Sequence, residues 1–114
     1  MKTLLTALGF SLLVATQAAG AAQKTFEGEE AAALRCANII ALTAVALNNV
    51  GRLSDIEKEA MLGISFLILE QHVSGTWAQK KAALMVVRDR RDVKETLGDF
   101  ERLAEQCLRQ FPIN

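Results

Sequence analysis

The chain has 114 residues, of which 51% are hydrophobic, and its 13 basic residues balance 13 acidic ones. A chain of that length holds one domain at most, and its charge balance gives no footprint for nucleic acid or another polyanion. With no Tyr, one Trp, one Pro and an excess of Ala and Leu, the composition favours helix over sheet.

The N-terminus has the three parts of an export signal: Lys2, the apolar run Leu4–Ala15, and the small-residue cluster 18–22, within which Ala19-Gly20-Ala21 fits the A-x-A cleavage pattern. The apolar run is shorter than the roughly 20 residues a membrane span needs, and Thr16 and Gln17 break it. Residues 1–21 are therefore expected to be a cleaved signal, 22–28 a flexible lead-in and 29–112 a helical domain. No cysteine follows the cleavage cluster, so lipid attachment there is not expected, nor is stable membrane anchoring after cleavage. Cleavage leaves 93 residues with 12 basic against 13 acidic, a net charge of −1. The expected location is the periplasm, with secretion as the alternative.

The first predicted helix begins near Glu27–Glu30, where carboxylates suit the positive end of the helix dipole. It runs through Cys36–Gly51, sixteen residues without a charge, and stops at Asn48–Gly51, where Gly51 can take a left-handed cap. Ser54-Asp55-Ile56-Glu57 is a capping box and opens a second helix that runs to about Val73. Its middle, Met61–Leu69, is interrupted only by Gly63 and Ser65, which predicts burial on more than one side. Ser74-Gly75 ends it. Thr76-Trp77-Ala78-Gln79 is another capping box, and the third helix carries Ala82–Val87 as its apolar part. Five charges in a row, Arg88–Asp92, precede a fourth pattern in which Val93, Leu97, Phe100, Ala104, Cys107 and Phe111 recur at helical spacing until Pro112.

In an oxidising compartment two cysteines read as a disulfide, and the single intrachain choice is Cys36–Cys107. Two free thiols and an intermolecular bridge are the rival readings. If Trp77–Phe111 were one straight helix, Cys36 would stand roughly 13 Å up the first helix and Cys107 about 45 Å up the third. A disulfide needs Cα atoms within about 7 Å. An intrachain bridge therefore requires a reversal, and Arg88–Asp92 is its natural place, with Asp92-Val93-Lys94-Glu95 as a cap. The first and last helices can then zip antiparallel, with Ile40 facing Ala104, Thr43 facing Phe100, Leu47 facing Leu97 and Val50 facing Val93. The expected fold is all-α: a small up-down-up-down four-helix bundle stapled by Cys36–Cys107, its third helix the shortest.

Chemistry-bearing residues are sparse. His72 is the only histidine and lies near a helix end, where the dipole favours a cation. Glu101 and Glu105 sit off the apolar seam and read as a solvated face. No spacing matches a zinc site, a haem site, a C-x-x-C redox pair, a phosphate-cradling loop or a nucleophile triad. The sequence therefore predicts no catalytic residue, metal ligand or cofactor, and the chain reads as not an enzyme. Two surfaces remain as candidates. Lys80, Lys81, Arg88, Arg90, Arg91 and Lys94 form a basic patch that could dock an acidic partner or an anionic lipid surface, or simply solvate the turn. Opposite the Cys36 seam lie Arg35, Asn38, Leu42, Val45, Asn49 and Arg52, where two apolar residues occupy a face that would ordinarily be polar.

A signal segment, Cys36-Ala37 early in the first helix, and the ending Cys107-Leu108-Arg109-Gln110-Phe111-Pro112 together resemble small exported bacterial two-cysteine helical proteins of unknown function. The resemblance implies a helical fold and export, and no site residue. The expected role is a non-catalytic periplasmic interaction or binding protein, with a protein partner or a second copy as its target. The alternative is a stress or chaperone-type protein that exposes apolar helix surface under acid or redox stress.

Overall fold

Local side-chain chemistry accounts for where three of the helices begin. A computed structural model describes residues 24–114, which form four α-helices: α1 (Gly28–Asn49), α2 (Asp55–His72), α3 (Trp77–Asp89) and α4 (Val93–Gln110). The expected signal, 1–21, lies outside the described residues. Ser54, Thr76 and Asp92 each accept a hydrogen bond from the amide three residues on, and Glu57, Gln79 and Glu95 each accept one from the cap amide in return. At the first of these boxes, the bonds from the Ser54 backbone and side chain hold the Glu57 carboxyl below the usual carboxylate range. α1 has no side-chain cap and relies on Glu29 and Glu30 in its first turn. It ends as a Schellman motif. Gly51 takes φ +75°, its amide bonds the Asn48 carbonyl, and the Arg52 amide bonds the Leu47 carbonyl at 2.8 Å. Asn48 Nδ2 then donates to the Leu53 carbonyl and to Asp55 Oδ1, which fixes the entry to α2.

The described residues build the expected four-helix bundle, and α1 is the member on which all three others pack. Ala33, Ala37 and Ala44 are fully buried along it, and their small side chains let neighbours approach closely. Ser65 Oγ of α2 donates to the Ala37 carbonyl at 2.7 Å, a bond that requires the two helices to lie close together there. Ile68, Leu69 and Val73 fill the α1–α2 side of the core, and Cys107 and Phe111 close it from α4. The Cys36–Cys107 disulfide joins α1 to α4 with Cα atoms 5.6 Å apart. The chain reverses between α3 and α4 over Arg90–Asp92, and α3, with 13 residues, is the shortest helix. α1 is long and apolar enough to cross a membrane, but half of its most apolar window is buried against the rest of the fold, as in a core helix.

Four details depart from the sequence reading. The last zipper layer is open: Val50 is 69% and Val93 48% exposed. Val50 lies beyond the end of α1 and Val93 is the first residue of α4, so neither has a full helix face against it. On α4 the buried positions include Thr96 and Asp99, while Leu97 and Phe100 are only half-buried. Burial of those polar residues is tolerated because they are bonded, Thr96 Oγ1 to the Asp92 carbonyl and Asp99 to two arginines. α2 buries one side rather than several; Phe66 is exposed and stacks on Trp77 with ring centroids 4.3 Å apart. The described part of the lead-in is also tied down. Lys24 Nζ donates to Ser74 Oγ, Ser74 donates to Glu30, and Phe26 packs against the core.

Candidate functional site

α1 and α4 are held together at the disulfide, and beside it they leave a cleft of about 470 Å³ that also takes in the end of α3. Cys36 and Cys107 lie in its lining, and Ala32, Ile39, Val87 and Leu103 give it an apolar floor. Four arginines border it: Arg35 from α1, Arg90 and Arg91 from the α3–α4 turn, and Arg102 from α4. One carboxylate, Asp99, faces them. Arg91 grips it through Nε at 2.7 Å and Nη2 at 3.1 Å, and Arg102 Nη2 reaches it at 2.6 Å. Arg91 also lies 3.6 Å from Glu95. Neither Arg35 nor Arg90 forms an ion pair with a described residue.

The two surfaces singled out in the sequence are rearranged by the fold. From the opposite face of α1, Arg35 and Asn38 enter the arginine cleft, and from the basic patch Arg90 and Arg91 join them. Asn38 is only 6% exposed, and its side chain makes no hydrogen bond to a described residue. Leu42 and Val45 line a different groove of about 230 Å³ between α1 and α3, with Leu84, Met85 and Arg88. In that groove Leu42 is half-buried and Val45 is 38% exposed, so α3 covers this side of α1 only in part. Asn49 and Arg52 are exposed at the far end of α1.

The remaining basic residues do not form one surface. Lys80 is buried, 7% exposed, with Nζ bonded to the Leu69 carbonyl at 3.0 Å and lying over the Trp77 ring. It holds α3 against the end of α2 and is not available for docking. Arg88 pairs with its neighbour Asp89, while Lys81 and Lys94 are exposed. His72 Nε2 sits 2.7 Å from the Pro112 carbonyl, and its ring meets Phe111 edge-on, so it fastens the C-terminal segment to α2. Gln71 does the same through paired bonds to Asn114. Among the described residues, no three His, Cys, Asp or Glu side chains gather as a metal site would require.

Sequence reasoning missed Asp99, Arg102 and Thr96 as members of the cleft. The i,i+3 spacing of Asp99 and Arg102 was a visible signal for one ion pair. The Arg91–Asp99 pair crosses a turn and left no local pattern. No protein-family model, curated protein or solved structure matches the chain.

Proposed function

We propose that the chain is a non-catalytic, exported helical binding protein of the periplasm, delivered by removal of residues 1–21. Its resemblance to small exported two-cysteine proteins and its signal-like N-terminus support export. The Cys36–Cys107 bond is the kind of crosslink that persists in an oxidising compartment.

The observation that carries the binding role is the incomplete cover on α1. This helix is the centre of the fold, yet α3 leaves a half-open groove along it, floored by Leu42 and Leu84 and edged by the exposed Val45 and Met85. Apolar side chains left at the edge of such a groove favour burial against a partner or a second copy of the chain.

The test is association after replacing Leu42 and Val45 together with glutamate. Sedimentation velocity reports self-association, and co-purification from the periplasm reports a heterologous complex. The expected result is loss of association with the helical circular dichroism spectrum and Tm retained. Unfolding of the variant would show that these residues serve the core, and association that survives the change would remove the groove from the interface.

A further inference from the structure

We infer that the cleft between α1 and α4 binds an acidic peptide segment of a partner protein, with its carboxylates on Arg35 and Arg90. This rests on the binding role proposed above and gives it a second site and a ligand chemistry.

The charge is local. The chain as a whole is balanced, yet four guanidinium groups border this cleft against Asp99 in its lining and Glu95 beside Arg91. Arg91 and Arg102 are spent on Asp99, and the bidentate grip of Arg91 shows how a carboxylate is received there. Arg35 and Arg90 lack such a partner among the described residues, and both are exposed. Both border the same cleft, so an anionic segment seated there can meet both guanidinium groups.

Asn38 supplies the second observation. The residue is largely buried, yet its amide lines the cleft without a described partner and is not sealed from it, unlike Thr43 Oγ1. Open to the cleft, that amide can both donate and accept, so a ligand seated there can bond each of its two ends. A peptide backbone offers the matching acceptor and donor together; a simple carboxylate or phosphate ion offers acceptors only.

Shape points the same way. On α4 the cleft extends from Thr96 to Gln110, about 21 Å at the helical rise. A single small anion would occupy a fraction of that length, whereas about six residues of extended chain would fill it. The floor at Ile39 and Leu103 takes an apolar side chain between the charged positions.

The experiment is a titration of the 15N-labelled, disulfide-bonded protein with a blocked peptide carrying two glutamates on each side of a central leucine. Expected are shifts in the Asn38 side-chain amide and in the Arg35 and Arg90 Nε–H signals. The double variant Arg35→Gln, Arg90→Gln should bind about tenfold more weakly at unchanged Tm, since both residues are exposed. A matched peptide with glutamine for glutamate should fail to bind.

Absence of shifts at millimolar peptide, or equal binding by the double variant, would overturn the assignment. Citrate and inorganic phosphate are titrated in parallel. Either ion shifting the same signals with the affinity of the peptide would overturn the peptide in favour of a small-anion site. The titration uses no natural partner, so its failure leaves the association test of the α1–α3 groove standing, and failure of that test leaves this one standing.

Discussion

Thr43 carries a cost that the rest of α1 does not. It is 1% exposed in the middle of the central helix, and its Oγ1 has no hydrogen-bond partner among the described residues. A buried hydroxyl without a partner opposes folding by about 1–3 kcal/mol, whereas a methyl group of similar size does not. Threonine and valine are both β-branched and have similar helix propensity, so helix formation does not separate them. Thr43→Val should therefore stabilise the protein by about 1 kcal/mol, which raises Tm by roughly 4–8 °C for a domain of this size. Thermal denaturation followed by circular dichroism checks it. A lowered Tm would mean that the hydroxyl is bonded in solution, and the helix geometry around Ile39 and Ala44 would need revision. At Asn38, five residues earlier on the same helix, the side-chain amide is also without a described partner, but there it lines an open cleft. The two residues differ in access: the Thr43 hydroxyl is sealed in the core, and the Asn38 amide faces an open cleft.

Among the elements, the α2–α3 corner shows how two adjacent lysines can have opposite roles. Lys80 threads its stem into the corner, bonds the Leu69 carbonyl and covers Trp77, which in turn stacks on Phe66. Lys81 is exposed one residue on. A hydrogen bond from a charged donor, with the packing of the stem, makes Lys80→Ala costly by about 2 kcal/mol, while Lys81→Ala should stay within about 0.5 kcal/mol. Urea denaturation of the two variants checks the contrast, and equal midpoints would show that Lys80 is solvated. The sequence could not distinguish these lysines, because a charged residue becomes a structural one only through what the fold places beside it. Helix starts are different. Ser54, Thr76 and Asp92 bond amides three residues away, so the information sits inside four consecutive residues and was legible. The break between α3 and α4 was legible for another reason, because one straight helix would have held Cys107 far from Cys36. The cleft was not legible: Arg35 and Arg90 share it only because the end of α3 and the start of α4 both fold back onto α1, and Arg91 reaches Asp99 across the turn.

For the whole molecule, the decisive link is the bond between α1 and α4. It joins positions 71 residues apart, so it restrains nearly the entire bundle in the unfolded chain. On a chain-entropy account a loop of that length contributes about 4 kcal/mol. A domain of this size has about 5–10 kcal/mol in all, so the crosslink is a large share of its stability. The fold offers little else to replace it, since α4 meets the rest mainly through α1 and its far end, at Val93, is open. Reduction, or the double change Cys36→Ala and Cys107→Ala, should therefore lower Tm by roughly 15–30 °C. The alanine variant excludes direct effects of the reductant on other groups. The loss should fall unevenly across the molecule. Hydrogen exchange should accelerate most in α4, while the α1–α2 contacts around Ala37, Ser65 and Ile68 keep their protection, because they do not pass through the crosslink. An unchanged Tm together with uniform exchange would show that packing alone sets the α1–α4 spacing. In that case the width of the arginine cleft would be fixed by Ile39 and Leu103 rather than by the disulfide in its lining.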